Sequence, residues 1–560
     1  MESRIVIIGG VAGGMSAATR ARRMNELASI TVLEKTGHIS FANCGLPYFI
    51  SGDIKDERAL FLTTPEQVAQ RYRIDARVQH EVTRIDREHH RVEGVNHITG
   101  DLFSLPYDKL ILAPGAAPIV PNLPGIDAVN VFVLRNIEDA ERLNSYLEKS
   151  KPQQAVVVGA GFIGLEMAEA LQSRGLQVTV LEKAPHALPP LDDAMGGWVE
   201  QELVHNGIAL RMGQGLGAIT TTNGRVSAIQ TEQGESIATD LVVLAMGVRP
   251  STKLAQTAGV VVGATGAIAV DKALRTSDPD IYAVGDATEV TQGVADFVTR
   301  IPLAGAANRH GRLAGEHAAT GHSRSAASVL GTAVVRIFKL DVAMTGLSFS
   351  SAKKMGFDVE RVIIHPNDHA GYYPGAKQMH LQLVYDRSNG RVLGAQAVGG
   401  AGVDKRIDVI ATLLHFRGTI DDLAQLDLCY APQFSGAKDP VHYAAFVAQN
   451  QQMGISPGVE DIQAGVQLVD VRTASEYAAG TLEGAINIPV DNLRTEHQKL
   501  DADKPTVVFC QVGIRGHLAT RILKHLGFRD VRNLKGGYVQ ARSRIAKLPN
   551  LLPLVEVHAK

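Results

Sequence analysis

Two stretches of the chain share one hydrophobic pattern: a short apolar run, a glycine-rich turn, then apolar positions every three or four residues. "RIVIIGGVAGGMSAATRARRMN" at 4–25 leads into the apolar run "SITVLEK", and "AVVVGAGFIGLEMAEALQSRG" at 155–175 leads into "QVTVLEK". Each predicts strand, turn, helix and strand. Further apolar runs ending in small residues lie at 110–115 ("LILAPG"), 241–250 ("LVVLAMGVRP") and 281–287 ("IYAVGDA"). The order is first unit, second unit, return to the first, so one domain is inserted in the other. From about 326 the texture changes to alternating strands, "GTAVVRIFKLDVAMTG" and "HLQLVYD", followed by a helix, "KRIDVIATLLHFRG". The stretch "AQNQQMGISPG" at 448–458 reads as a linker, and "QLVDVR", "AINIPV" and "TVVFC" beyond it predict a separate α/β domain.

At 560 residues the chain is too long for one core and implies several domains. Lys and Arg number 56 against 58 Asp and Glu, a net charge of −2, so no whole-chain field favours nucleic acid or an anionic membrane. The opening "MESRIVIIGG" reads as a strand and not as a signal peptide, and no run approaches the ~18 apolar residues of a membrane helix. A cytoplasmic protein without membrane or nucleic-acid partners is expected. Cys44, Cys429 and Cys510 form neither a disulfide framework nor a zinc pattern, so no metal is expected, and each thiol is either reactive or inert.

The glycine turns carry the first chemistry. Gly9, Gly13 and Gly14 are followed by Glu34, and Gly159, Gly161 and Gly164 by Glu182, each acid about twenty residues beyond its glycines at the end of a second strand. Glycines let backbone close on a pyrophosphate, the helix N-terminus supplies partial positive charge, and the acid accepts ribose hydroxyls. Two dinucleotides are therefore expected. Val11 stands where the first copy would have its second glycine. Asp286, just past a strand and a glycine, is placed to meet a sugar or ribityl hydroxyl.

With these motifs the first 450 residues or so resemble the pyridine nucleotide-disulfide oxidoreductases, and within them the coenzyme A-disulfide and persulfide reductases. "SFANCGLPYFISG", "GAGFIGLE", "IYAVGDA", "PLAGAANRHGR", "HAGYYPGA" and "LDLCYAPQFSGAKDPV" carry the likeness. The tail, through "LVDVRTASEYAAGTLEGAINIP" and "VVFCQVGIRG", resembles a rhodanese domain. The resemblance implies an α/β fold: two doubly wound dinucleotide-binding domains arranged as in glutathione reductase, an α+β dimerisation domain and a C-terminal α/β rhodanese domain. The boundaries expected are 1–112 with 246–325 for FAD, 113–245 for NAD(P)H, 326–447 for dimerisation, 448–458 for the linker and 459–560 for the rhodanese domain. A homodimer is implied. Glu182 favours NADH because a carboxylate repels the 2′-phosphate of NADPH, while Lys183 acts the other way and leaves NADPH open.

Relatives of the glutathione reductase type place two cysteines beside the flavin. Here Ser40, Phe41, Ala42 and Asn43 precede Cys44 with no second cysteine, so Cys44 takes its sulfur partner from elsewhere. Its thiolate needs a lowered pKa, for which a helix N-terminus, the flavin and Asn43 are candidates. The resemblance assigns proton donation to Tyr372 and Tyr430, reaching Cys44 of the partner subunit, with Tyr373 an alternative to Tyr372. It assigns coenzyme A to Ser16, Arg20, Arg23, Ser40, Asn43 and Lys438, although arginine at 20 departs from the family's glutamine. Arg20 and Arg23 fall on one helix face. Cys429, in an apolar run without a glycine loop, is expected in the core.

In "FCQVGIRG" a cysteine at a strand end precedes a helix, an anion nest whose N–H groups converge on sulfur. Four residues separate Cys510 from Arg515, where a phosphatase needs five, and the smaller cradle suits a persulfide. Asp470 and Arg472 are expected to pair structurally, and Thr481 replaces a common rhodanese histidine. The function expected is NADH-dependent reduction of coenzyme A disulfides, persulfides or polysulfide, with the rhodanese domain handling sulfane sulfur. The alternatives are an NADH oxidase or peroxidase cycling Cys44 through a sulfenic acid, or a redox-sensing flavoprotein with a docking tail.

Overall fold

In the computed structural model, which describes residues 3–545 and 554–555, both glycine turns leave the middle strand of a parallel sheet. The strand Arg4–Ile8 lies between Ser29–Leu33 and Lys109–Leu112, with Ile74–Arg77 and Ile281–Ala283 at the edges. The strand Gln154–Val158 lies between Gln177–Glu182 and Leu241–Leu244, flanked by Ala209–Met212 and Val131–Phe132. Their β-branched runs are buried nearly throughout, as central strands of a parallel sheet must be. Because Ile281–Ala283 returns to the first sheet, the second domain is an insertion in the first.

The chain groups into two compact units, 1–185 with 207–331, and 186–206 with 332–560. The second unit is built on an antiparallel sheet in the order Ala333–Ile337, Leu340–Gly346, Val392–Gly399, Met379–Asp386, Val359–Ile364. Every residue of Met379–Asp386 and Val392–Gly399 is buried. Residues 186–206, expected within the second nucleotide domain, belong to this unit for a physical reason. The Asp192 carboxylate accepts the N–H groups of Phe349 and Ser350 at 2.8 and 3.0 Å and the Gln382 amide at 2.6 Å. Trp198 stacks on His380 with ring centroids 3.7 Å apart.

The same unit carries a second, parallel sheet in the order Gly458–Val459, Val531–Leu534, Thr506–Phe509, Gln467–Asp470, Ile486–Asn487. The expected linker is narrower than its composition implies. The helix Pro440–Gln452 runs through "AQNQQ", since alanine and glutamine support helix, and Gly454 with φ +67° ends it. Residues 546–553 and 556–560 of the expected rhodanese segment lie outside the described residues.

Candidate active site

Gly9 and Gly159 have φ of +102° and +108°, and a Cβ at either would lie about 2 Å from a facing carbonyl, at 2.1 and 2.2 Å. Neither position tolerates another residue. Gly161 differs: a Cβ there meets open space, so no protein neighbour demands the glycine. The open space leaves room for a ligand to approach the backbone closely. The acids are oriented by the turns they face. Glu34 accepts from the Gly10 N–H and the Thr36 N–H, both at 2.8 Å, and Glu182 from the Ala160 and Ala184 N–H groups, both at 2.7 Å. Lys183 reaches Glu232 at 2.9 Å, which draws its charge away from Glu182. Asp286 lies in the turn Gly285–Ala287. Burial pushes its carboxyl up and Arg135 pulls it back. This donor and acceptor set fits two dinucleotides, one at each turn.

Cys44 occupies the turn Asn43–Gly45, which runs into the six-residue helix Leu46–Ser51. Ser40, four residues earlier, is held at φ +47°, donating its N–H to Gly10 O at 2.7 Å and accepting from Leu62 N–H at 3.0 Å. This strained residue ties the cysteine loop to the first glycine turn. Cys44 is exposed, and its Sγ is 3.7 Å from Asn43 Oδ1. The lowered thiol pKa expected here is not what the protein's side chains produce. Desolvation pushes the thiol up, and Glu166 and Asp286 push in the same direction.

Cys510 is fully buried at the end of Thr506–Phe509, and the Gly513 N–H donates to its Sγ at 3.2 Å. Arg515, in the first turn of the helix Ile514–His525, binds both oxygens of Glu476 at 2.7 Å. The hydrogen bonds from Arg515, against some desolvation, bring the Glu476 carboxyl down to about 2. Asp470 and Arg472 form a buried pair at 2.6 Å, and Thr481 donates to the same carboxylate at 2.8 Å. In the place of the missing histidine, Thr481 thus packs and bonds inside the domain.

Models of known families match along the chain: pyridine nucleotide-disulphide oxidoreductase at residues 3–311, its dimerisation domain at 332–440, and a rhodanese-like domain at 459–543. The chain belongs to the pyridine nucleotide-disulphide oxidoreductases. A coenzyme A disulfide reductase from Staphylococcus haemolyticus is 32% identical over 447 residues, 80% of this chain and 99% of the relative. The reduced CoADR-RHD of Bacillus anthracis is 39% identical, covering 99% of this chain and 100% of its own at a TM-score of 0.94. A NAD-dependent persulfide reductase from A. fulgidus is 38% identical, covering 96% and 99% at a TM-score of 0.92. This oxidoreductase therefore carries the nucleotide, dimerisation and rhodanese modules in one chain.

Several residues of the oxidoreductase sit differently from expectation. Arg20 is ion-paired with Glu316 on the helix Ala304–Thr320, Ser16 donates to Asn308 on the same helix at 2.6 Å, and Arg23 folds back onto Thr19 O at 2.8 Å. Arg20 and Arg23 both lie on the helix Ala12–Met24, the first partnered by Glu316 and the second exposed. Lys438 is exposed in the second unit. Tyr372 and Tyr430 meet there, hydroxyl to hydroxyl at 3.1 Å, and the bond to Tyr430 pushes the Tyr372 phenol up. Tyr373 instead packs edge-on to His369. Cys429, expected in the core, is exposed, because residues 426–431 form no strand or helix that would turn it inward.

One pair beside Cys44 was not anticipated. Tyr48 donates to Glu166 at 3.0 Å, joining the cysteine helix to the helix Phe162–Ser173, and burial pushes the Glu166 carboxyl up. An acid two positions past Gly164 in an otherwise apolar run was the available signal. Among the described residues no group of three or more His, Cys, Asp or Glu could hold a metal ion, and no helix is long and apolar enough to cross a membrane.

Proposed function

We propose that this oxidoreductase is an NADH-dependent flavoprotein that reduces coenzyme A disulfides, persulfides or polysulfide, and that its rhodanese domain handles sulfane sulfur. The observation that carries the reading is the pairing, in one chain, of a lone accessible cysteine beside a dinucleotide turn with a second cysteine seated in a backbone nest. Gly9, Gly13, Gly14, Glu34 and Asp286 would hold FAD, and Gly159, Gly161, Gly164 and Glu182 would hold NADH. Lys183, engaged with Glu232, leaves Glu182 to disfavour a 2′-phosphate.

Cys44 as thiolate attacks the coenzyme A-bound sulfur of a persulfide. The sulfur–sulfur bond of the substrate breaks, hydrosulfide leaves, and Cys44 is left in a mixed disulfide with coenzyme A. The flavin, when bound, supplies the relay by which two electrons from NADH reach that disulfide. Coenzyme A then leaves as thiolate and Cys44 returns to the thiolate. Tyr372 and Tyr430 hold a phenolic proton for a leaving thiolate; in a homodimer they serve Cys44 of the partner subunit. Arg23 and Lys438 provide exposed positive charge for the phosphates of coenzyme A, while Arg20, bound to Glu316, orients the helix that carries Ser16. Cys510 takes a sulfane sulfur, its persulfide stabilised by the Gly513 N–H and by Arg515.

The test compares NADH consumption driven by coenzyme A persulfide with that driven by peroxide. Faster turnover with persulfide is expected, and equal or greater turnover with peroxide would overturn the reading in favour of an oxidase or peroxidase.

A further inference from the structure

The loop that carries Cys510 is not held by the rhodanese domain alone. The Cys510 carbonyl accepts the Tyr538 N–H at 2.8 Å, and the Gln511 carbonyl accepts the Val539 N–H at 3.1 Å. The turn Gly536–Gly537 lies flat against these carbonyls: a Cβ on Gly537 would come within 2.4 Å of Cys510 O. On its other side the turn rests on the dimerisation sheet. A Cβ on Gly536 would come within 2.8 Å of Nε2 of His365, the residue that follows the strand Val359–Ile364.

His365 is itself fixed. Its Nδ1 is 2.7 Å from Nδ1 of His380, and His380 is stacked on Trp198, the chain's single tryptophan. Burial pushes both imidazoles down, to about 4 and about 3, so near neutral pH both are uncharged and one donates to the other. A second fastening lies one residue before the turn. Lys535, 7% exposed in its side chain, reaches Glu360 of the dimerisation sheet at 2.6 Å and Glu460 at 3.3 Å, and Arg361 pairs with Glu460. Desolvation alone would raise the Glu460 carboxyl, yet Arg361 and Lys535 bring it down to about 2. Gln540 donates to Ala194 O at 3.2 Å, on the helix of Trp198.

We propose that His365 is a positioning residue for the sulfur site, so that the dimerisation domain completes the Cys510 cradle and the rhodanese domain works docked. The inference rests on the reading of Cys510 as a sulfur carrier. Support for the turn fixes the Cys510 carbonyl, the carbonyl fixes the start of the loop, and the loop sets the distance from the Gly513 N–H to Sγ. A displacement of about 1 Å at such a site lowers rate by up to about a hundredfold, and a lost backbone donor acts similarly.

The experiment uses the full-length holoenzyme and follows three readouts: sulfur loading of Cys510 from coenzyme A persulfide by mass spectrometry, the pH profile of Cys510 alkylation, and NADH-dependent reduction of coenzyme A disulfide, which reports on Cys44. In His365→Ala, loading of Cys510 is expected to fall about tenfold or more, with its alkylation profile displaced to higher pH and Cys44-dependent turnover within about twofold of wild type. His365→Gln, whose amide reaches the Nε2 position, is expected to restore most of the loading. Lys535→Met, which loosens the same turn through a different contact, should reproduce the Cys510 signature. Unchanged loading and alkylation of Cys510 in both His365→Ala and Lys535→Met, while Trp198 fluorescence shows the cluster disturbed, overturns the proposal. So does equal loss at both cysteines in the two variants, the mark of general unfolding. If wild-type Cys510 takes no sulfur from the persulfide, the carrier reading falls instead, and the alkylation profile alone decides the positioning claim.

Discussion

Cys44 and Cys510 each lie in a turn that leads into a helix, yet their surroundings treat negative sulfur in opposite ways. Cys44 is exposed, precedes a helix of six residues, and faces two carboxylates that push its thiol up with the help of desolvation. Cys510 is buried, precedes a helix of twelve residues, and has a backbone N–H on its sulfur with Arg515 beside it. The difference follows from where the neighbours come from. Those that meet the sulfur of Cys510 come from the residues just after it, Gly513 and Arg515, and the turn Gly536–Gly537 braces that loop from the side. Around Cys44, Glu166 and Asp286 arrive from distant segments, and a thiolate there depends on charge or dipoles supplied by bound cofactor or substrate. On the proposed reading, one cysteine is prepared by the fold to hold an anionic persulfide, and the other is switched on by what binds beside it.

The largest effect should come from Cys44→Ser. Disulfide-dependent NADH turnover is expected to fall by at least ~10³-fold, because no second cysteine in the loop can substitute, while sulfur loading of Cys510 persists. Loss of both activities would deny the two sites their independence. Arg515→Ala should reduce loading of Cys510 by about 10²-fold and leave Cys44 turnover alone. Tyr430→Phe removes a phenol from the hydrogen-bonded pair and should slow thiol release by roughly 10- to 100-fold, seen as a lower kcat with little change at Cys510. Glu166→Gln removes a charge facing Cys44, so the alkylation profile of Cys44 should move to lower pH by up to about a unit, with that of Cys510 unmoved.

A smaller effect belongs to the second unit as a whole. His365 and His380 have pKa values depressed in the folded state, to about 4 and about 3 from 6.5. As pH falls below 6.5 the unfolded chain binds protons that the folded chain refuses, so stability declines with acidification until the folded values are reached. A thermal-unfolding series between pH 7 and 4 should show the midpoint falling by a few degrees, and the slope should flatten in His380→Gln.

The nucleotide domains were legible in the sequence because their signals are local: strand, glycines, helix and acid all fall within about thirty residues, and Gly9, Glu34, Gly159 and Glu182 stand in the turns and strand ends expected of them. The turns that carry Cys44 and Cys510 were legible for the same reason. What escaped depends on pairs far apart in the chain. The pairing of Arg20 with Glu316, 296 residues away, leaves no signal in the sequence around either residue. Residues 186–206 read as part of a nucleotide domain until the Asp192 carboxylate caps a helix more than 150 residues further on, within the same second unit. Cys429 has the composition of a core residue, but no neighbouring strand turns it inward. The thiol of Cys44 was expected to be lowered, and the opposing acids, Glu166 and Asp286, lie 122 and 242 positions further on.

The most direct measurement of the central claim is a mass analysis of the full-length protein after exposure to coenzyme A persulfide without NADH. A coenzyme A adduct on Cys44 and one additional sulfur atom on Cys510, with the coenzyme A adduct removed when NADH is added, is the predicted result. Both cysteines unmodified, or an adduct on Cys44 that survives NADH, would contradict the account.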